Sequence, residues 1–304
     1  MFKRIVVGVD GREGGRDAVA LAQLLVAAGG ELTLAHVVPD DPDAHGGARA
    51  ACGAPEAQRA EALLETVREE TGVEAHLCRR ASASVARGLH ELCDLIGADL
   101  VAVGSSRRGL LGRVLVGDDT RAALNGAPCS IGVAPRNYSQ QPRAIREIGV
   151  GYDGSPESAH ALSVARMLAG ASGARLSALE AVSLPSGAFL GPGAVDNTPR
   201  RLLEDARARI AALGDVEPRA AYGQPAEELA LYSASLDLLV VGSRGYGPIG
   251  RLIHGSTSQQ LAHSARCPLL VLTRTAHAST TDGLSNVSTN RSLRGRSASA
   301  PRIT

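Results

Sequence analysis

The sequence has few aromatic residues, no tryptophan and a single lysine, Lys3. Because only 2% of its residues are Phe, Trp or Tyr, its hydrophobic cores must be packed mainly from Ala, Val, Leu and Ile. Cores of that kind suit helices that lie closely on a parallel sheet. The absence of an internal lysine excludes the Walker phosphate loop, the protein-kinase active site and a Schiff-base lysine.

The sequence also lacks an excess of charge, paired cysteines and long apolar runs. A formal net charge of +1 gives no general attraction to DNA or to an anionic membrane, so neither is an expected partner. The five cysteines are odd in number and show no CxxC spacing, which argues against a disulfide framework and a structural zinc site. No run approaches the roughly 20 apolar residues that cross a bilayer, and no export signal is recognisable after Met1. We therefore expect a cytoplasmic protein.

An internal repeat is the most informative feature that is present. Residues 4–11, RIVVGVDG, recur as residues 147–154, EIGVGYDG, and residues 99–105 match residues 237–243 in the same way. In each half, short β-branched runs alternate with longer stretches of helical period, which is typical of βαβ units and a parallel sheet. We call the two halves copy one and copy two.

We predict an α/β fold of two tandem doubly wound domains, each with five strands and four helices. The domains are expected at residues 1–138 and 144–276, joined by a polar linker near 136–143. Residues 183–199, rich in Pro and Gly, predict a long loop. Residues 277–304 are rich in Ser, Thr, Asn and Arg and predict a disordered tail.

Copy one illustrates the element assignment. An apolar stripe at spacings of three and four predicts its first helix, with Ala18, Leu21, Ala22, Leu25 and Ala28 on the inner face. Short apolar runs predict its strands near residues 4–9, 31–37, 73–78, 100–103 and 131–134.

The clearest motif is residues 242–257, GSRGYGPIGRLIHGST, between a predicted strand and a predicted helix. Its glycines let backbone amides approach a phosphate closely. The following helix presents unpaired N–H groups and a positive dipole end, so residues 255–257 lie where a phosphate is held best. Arg244 or Arg251 can supply counter-charge.

A second element, residues 153–156, follows the first predicted strand of copy two. Asp153 can accept hydrogen bonds from a ribose or an adenine edge. Ser155 is more simply explained as a helix N-cap than as a ligand contact, with Pro156 at the first helical position.

Together these motifs resemble the universal stress protein family, over residues 1 to about 275 in two copies. The resemblance rests on the strand–Asp–Gly start and on the pattern Gly, two residues, Gly, nine residues, Gly-Ser, which copy two matches at Gly242, Gly245, Gly255 and Ser256. It implies a five-stranded parallel sheet per domain, in the order 3-2-1-4-5 with helices on both faces. It also implies ATP as the ligand, with Mg²⁺ as an optional ion. The residues it implies for nucleotide contact are Gly151, Asp153, Ala181, Val241, Gly242, Gly245, Gly255, Ser256 and Thr257.

Copy one departs from this pattern at two positions. Arg107 stands in place of the second glycine, and Asp118 in place of the serine that faces phosphate. Two like charges at 4 Å repel by about 1 kcal/mol in water and about 4 kcal/mol at an effective dielectric of 20. We therefore expect weak or no nucleotide binding in copy one.

The predicted function is an adenine-nucleotide-binding stress-response regulator with at most slow ATP hydrolysis. The sequence shows no nucleophile beside a base, no carboxylate cluster and no lysine for a transferring phosphoryl group. Its eight histidines show no metal-ligand spacing, so no metal site is predicted.

Two alternatives remain. The first is a nucleotide-independent interaction module whose copies pack through their last strands, within one chain or in a homodimer. The second is adenylyl transfer, which requires a Ser-Gly-Gly-x-Asp-Ser type of loop where residues 153–158 read DGSPES.

Overall fold

A computed structural model describes residues 1–39, 47–105, 125–140, 144–183, 198–243 and 256–273. Copy one contains strands β1 (Phe2–Gly8), β2 (Val26–Pro39), β3 (His76–Ser82), β4 (Leu100–Gly104) and β5 (Ser130–Ala134), and helices α1 (Glu13–Leu25), α2 (Gly47–Thr71) and α3 (Val85–Ile96). Copy two contains β6 (Glu147–Gly151), β7 (Arg175–Val182), β8 (Glu217–Tyr222), β9 (Leu238–Gly242) and β10 (Leu269–Leu272), and α4 (Pro156–Ser172), α5 (Thr198–Ala211), α6 (Pro225–Tyr232) and α7 (Ser256–Ser264). The predicted tail, most of the predicted loop at 183–199 and the predicted fourth helix of copy one lie outside the described residues.

The described strands form one sheet in the order β3-β2-β1-β4-β5-β10-β9-β6-β7-β8. Within each copy the strands are parallel and follow the order 3-2-1-4-5, which confirms that prediction. The copies join where β5 and β10 pair antiparallel, with Leu270 opposite Gly132. The two predicted five-stranded sheets are therefore halves of one continuous sheet of ten strands.

The central strands are buried on both faces, as parallel strands under helices must be. Ile5, Val6 and Val7 of β1 and Leu238 and Leu239 of β9 are fully buried. The buried apolar side chains form two layers, one on each face of the sheet, and each layer includes residues of both copies. The hydrophobic core is thus divided by sheet face and not by copy.

The apolar stripe of α1 ends at Leu25, so the prediction that Ala28 belongs to it is wrong. Val26 already has extended backbone, with φ −68° and ψ 139°, and it pairs with Phe2 of β1. Gly29 then takes φ 72°, a left-handed conformation that a continuing right-handed helix cannot contain. The helix therefore gives way to β2 about one turn earlier than its periodicity indicates.

The third strand lies at His76–Ser82, whereas the sequence predicts it at residues 73–78. Its register is set by backbone pairing with β2 along its whole length. It is an edge strand, and edge strands commonly carry charged side chains, here Arg79 and Arg80. The apolar Val73, at the start of the predicted range, is buried but precedes the strand in the chain. Pairing partners, and not local hydrophobicity, decide where this strand starts.

Part of the predicted linker has a defined structure. Residues Tyr138–Gln140 form a 3₁₀ turn against α1, and Tyr138 is buried. The fully buried carboxylate of Asp17 accepts hydrogen bonds from the backbone N–H of Asn137 (2.9 Å), the backbone N–H of Ser139 (2.8 Å) and the Ser139 hydroxyl (2.7 Å). The first helix of copy one thereby holds the chain segment that leads towards copy two.

Candidate functional site

A cavity of about 190 Å³ lies at the carboxyl ends of β6, β7 and β9 in copy two. Open α/β sheets bind ligands at this edge, where neighbouring connections diverge. The cavity is lined by Gly151, Tyr152, Asp153, Ser155, Glu157, Ser158, Leu179, Ala181, Pro225, Leu229, Val241, Gly242, Thr257 and Ser258.

One wall of the cavity is apolar. Leu179, Leu229 and Val241 are buried and surround Gly151, where an added Cβ would lie 3.1 Å from Leu229 and 3.2 Å from Val241. Leu179 is placed there because it pairs with Gly151 across β6 and β7. Two residues further along β7, the small side chain of Ala181 also lines the cavity and continues this apolar wall.

A second, polar wall is built from the start of α4. The Asp153 carboxylate accepts hydrogen bonds from the backbone N–H of Ser155 (3.1 Å) and from the Ser155 hydroxyl. The Ser155 hydroxyl oxygen in turn accepts from the backbone N–H of Ser158 (3.2 Å), with Pro156 in the first turn of the helix. This geometry confirms Ser155 as the N-cap of α4 and fixes the orientation of the Asp153 carboxylate at the cavity wall.

The end of β9 touches the start of α4 directly. A Cβ at Gly242 would lie 2.5 Å from the Glu157 carbonyl oxygen, so only glycine permits this approach. The next residue is anchored as well, because the Ser243 backbone N–H and hydroxyl both donate to the Leu272 carbonyl, at 2.9 and 2.8 Å. Contacts with α4 and β10 therefore hold the end of β9 in place at the cavity edge.

The structure brings together most of the residues that the sequence indicated. Gly151, Asp153, Ala181, Val241, Gly242 and Thr257 line the same cavity, and α7 begins at Ser256. Gly245 and Gly255 lie outside the described residues, as do Arg244 and Arg251.

Several lining residues were not anticipated, among them Leu179, Glu157 and Leu229. Leu179 could have been found from sheet register, since it is the residue of β7 that pairs with Gly151. Glu157 and Leu229 line the cavity because α4 and α6 pack on the sheet. No local sequence motif indicates that packing.

Copy one has the same framework with different side chains. Leu89 and Val103 border Gly8 as Leu229 and Val241 border Gly151. The residue in the position of Ser155 is Arg12, whose guanidinium lies 3.6 Å from the Asp10 carboxylate and which gives α1 no side-chain cap.

At the position of Ala181, copy one carries Val37, which packs against Gly88 of α3. Arg107 and Asp118 lie outside the described residues.

Sequence comparison identifies the family. The model of the universal stress protein family matches the chain twice, over residues 1–135 and 144–273. The chain belongs to the universal stress protein family. Each match corresponds to one copy, so two universal stress protein units follow one another and share a sheet through β5 and β10.

Curated relatives match parts of the chain. A universal stress protein of Mycobacterium bovis is 33% identical over 187 residues, which cover 57% of this chain and 61% of the relative. The match thus spans less than two thirds of that relative's length. A universal stress protein of Thermus aquaticus is 37% identical over 136 residues, which cover 42% of this chain and 98% of the relative.

Solved structures agree with the fold over almost the whole chain. A universal stress protein from Archaeoglobus fulgidus superposes with a TM-score of 0.64 at 16% identity, covering 90% of this chain and 98% of its own. A putative universal stress protein from Pseudomonas aeruginosa gives a TM-score of 0.60 at 20% identity, covering 89% and 93%. At such identities the likeness establishes the fold.

Within the described ranges, no helix combines the length and apolar character needed to cross a membrane. The same ranges contain no group of three or more His, Cys, Asp or Glu side chains placed to hold a metal ion.

Proposed function

We propose that copy two binds an adenine nucleotide, ATP, in the cavity at the carboxyl edge of β6, β7 and β9. The observation that carries the proposal is the meeting of three features at one edge: an apolar wall, the Asp153 carboxylate, and the start of α7. They correspond to the three parts of a nucleotide: base, ribose and phosphates. The protein would act as a stress-response regulator through nucleotide occupancy, with at most slow ATP hydrolysis.

The base and the ribose fit the described walls. An adenine ring placed between Leu229 and Val241 would bury its faces on aliphatic side chains, as small-molecule pockets generally do. Asp153 is held at the cavity wall by the α4 cap, so its carboxylate can accept from ribose hydroxyls or from a base N–H.

The phosphates would lie at the start of α7. This nine-residue helix begins at Ser256, and Thr257 lines the cavity, so its first turn, whose N–H groups have no acceptor within the helix itself, is near the ligand. Gly245 and Gly255 would add backbone amides, and the Ser256 and Thr257 hydroxyls further donors. Mg²⁺ would be optional, held mainly by the phosphates themselves.

The alternative function is a nucleotide-independent interaction module. The antiparallel pairing of β5 with β10 favours it, because it is the contact through last strands that this alternative requires. For both candidate functions we propose the same two domains, at residues 1–138 and 144–276, which pair within one chain.

Calorimetric titration of ATP into the purified protein tests the proposal. We expect micromolar affinity and close to one site per chain. Ser256→Asp would place a carboxylate beside the phosphates and weaken binding by about ten- to a thousandfold, and Gly245→Asp would act in the same direction. Absence of ATP binding by the wild type would reject the proposal and leave the interaction module.

A steric variant and a matched control distinguish loss of ATP binding in the cavity from an effect of the substitution on the protein as a whole. Ala181→Leu would fill the apolar wall and abolish measurable binding, while the fold is retained because Ala181 is only partly buried. Ala171→Leu makes the same change at an exposed position near the other end of α4, and its affinity should equal that of the wild type. Equal affinities for both variants would place the nucleotide elsewhere.

A further inference from the structure

Glu157 places an acidic side chain beside the start of the glycine motif of copy two. It stands in the first turn of α4, is partly buried, and lines the cavity together with Gly242 and Thr257. A Cβ built on Gly242 would lie 2.8 Å from the Glu157 Cβ, so the glutamate side chain starts at the end of β9. Because Gly242 begins the motif and Thr257 ends it, Glu157 borders the part of the cavity that we assign to the phosphates.

The charged lining residues that the structure describes are both acidic. They are Asp153 and Glu157, and no lysine, arginine or histidine of the described ranges lines the cavity. The Asp153 carboxylate is held by the cap of α4 through Ser155, and we assign it to the ribose or the base. Glu157 is therefore the described carboxylate that the triphosphate of ATP would meet.

We propose that Glu157 makes copy two prefer ATP in complex with a divalent cation to free ATP, a preference that rests on the proposed function. The carboxylate would face bare phosphates with like charge, and it would face a phosphate-bound cation with opposite charge. Mg²⁺ in proteins is usually held by one or two carboxylates together with substrate phosphates, which is the set of ligands that Glu157 and ATP would supply. Free ATP would still bind, more weakly, so the ion is optional for occupancy and raises the affinity.

Copy one shows that the fold does not require a carboxylate at this place. Gly14 approaches Gly104 there through its backbone, as Glu157 approaches Gly242 in copy two, so Gly14 and Glu157 occupy matching positions. In both copies the backbone alone makes the close contact between strand and helix. The charge at position 157 is thus an addition of copy two, the copy whose phosphate motif is complete.

Glu157 also has a structural effect, which the test must separate from its effect on the ligand. An acidic side chain in the first turn of a helix interacts favourably with the positive end of the helix dipole, and Glu157 is the acidic residue in the first turn of α4. That interaction involves neither ATP nor Mg²⁺. It contributes to the stability of α4 but not to the difference in ATP affinity between solutions with and without the cation.

The test is calorimetric titration of ATP into the intact protein in two buffers of equal ionic strength, one with excess MgCl₂ and one with EDTA. One like-charge contact at roughly 4 Å weakens binding by at least about fivefold, so wild type should bind ATP at least that much more tightly with Mg²⁺. Glu157→Gln should bind free ATP more tightly than wild type does, and the difference between the two buffers should shrink. Equal wild-type affinities in both buffers, or a difference that Glu157→Gln leaves unchanged, would overturn the proposal.

A second variant and a second ligand serve as controls. Glu227→Gln removes the same charge from the first turn of α6, at an exposed residue outside the cavity lining, and it should keep the wild-type difference between buffers. Adenosine has no phosphates, so its affinity should be the same in both buffers and for Glu157→Gln. A changed adenosine affinity in Glu157→Gln would contradict the charge argument.

The two proposals fail in different ways. Absence of ATP binding in both buffers would reject the proposed function and this inference together. ATP binding that does not depend on Mg²⁺ would reject the inference alone.

Discussion

At the scale of single residues, Gly242 is a point of close backbone-to-backbone contact in copy two. The glycine lets the end of β9 contact the backbone of α4 at Glu157, and copy one repeats the contact, where a Cβ at Gly104 would lie 2.0 Å from the Gly14 carbonyl oxygen. The first glycine of the loop therefore has a structural role before any ligand binds. Its Cα hydrogens face a carbonyl group, and the strand and the helix approach each other because nothing larger intervenes.

This packing predicts a loss of stability for Gly242→Ala. The added methyl group would push α4 away from β9, and overpacking of this kind costs roughly 1–3 kcal/mol in the free energy of unfolding. The displacement would also widen the cavity and weaken ATP binding. Urea denaturation measures the first effect and calorimetry the second.

Gly170→Ala is the matched control, because it makes the same change in α4 where an added Cβ meets no atom within 4 Å. Removing glycine from a helix should stabilise the protein by roughly 0.5–1 kcal/mol. Opposite signs for the two variants are therefore expected. Equal effects would show that the close approach at Gly242 is unimportant.

Tyr232 gives a prediction for alkaline pH. It ends α6 with its phenol hydrogen bonded to Ser177, and burial raises its pKa from 10.0 to about 12. The folded state thus favours the neutral phenol, and the associated stability is complete below pH 10 and is lost as pH rises to about 12. Two pKa units correspond to roughly 2–3 kcal/mol.

The measurement is the free energy of unfolding in urea for wild type and Tyr232→Phe at several pH values from neutral to strongly alkaline. The advantage of the wild type should shrink above pH 10, since phenylalanine has no proton to lose. A difference that stays constant up to pH 12 would show that Tyr232 ionises equally well in the folded and the unfolded chain.

Residues of the candidate site divide by how they reach the cavity. Asp153, Gly242 and Thr257 are predictable because each belongs to a local motif at the end of a strand or the start of a helix. Leu229 is not, because its contribution depends on how α6 packs over Gly151. Local patterns thus predict the polar part of the site, and tertiary packing supplies its apolar wall.

At the scale of elements, the sequence predicts the order of strands better than their ends. The alternation of apolar runs and helical stretches predicts the parallel arrangement, and the resemblance to the universal stress protein family implies the 3-2-1-4-5 order that each copy shows. Strand ends depend on pairing partners, as the shift of β3 to His76–Ser82 shows. The end of α1 depends on Gly29, whose positive φ the apolar periodicity does not reveal.

The contact between α1 and the linker predicts a strongly destabilising substitution. Asp17→Ala would leave two backbone N–H groups and one hydroxyl without their acceptor. Each unsatisfied buried group costs roughly 1–3 kcal/mol, so a total of about 3 kcal/mol or more is expected. Ser139→Ala removes one of the three bonds and should cost about 1 kcal/mol.

Thermal unfolding of the two variants checks the ranking. The melting temperature should fall much further for Asp17→Ala than for Ser139→Ala. Similar small shifts in both would show that water replaces the carboxylate and that the linker is held by Tyr138 alone.

At the scale of the whole molecule, the two copies share one sheet and two core layers. The junction strands are fully buried where they pair, at Ile131, Val133, Leu269, Leu270 and Val271. Sequence repetition predicts two similar domains but does not indicate whether their last strands pair within the chain or between chains. The antiparallel pairing within one chain resolves this, and it occupies the strand edges that a homodimer of the same kind would use.

A shared core implies that the copies unfold together. Differential scanning calorimetry of the wild type should give a single transition whose calorimetric and van't Hoff enthalpies agree. Leu270→Asp would place a carboxylate at a fully buried position of the junction, at a cost of several kcal/mol, and should split the transition into two.

Leu231→Asp makes the same substitution at a side chain that is 59% exposed, and it should keep the single transition. Its effect on stability should be within about 0.5 kcal/mol. Two transitions already in the wild type would mean that each copy is stable without its neighbour, and that the pairing of β5 with β10 aligns the copies without coupling their folding. A single transition lost only in Leu270→Asp would show that the junction makes one cooperative unit of two universal stress protein repeats.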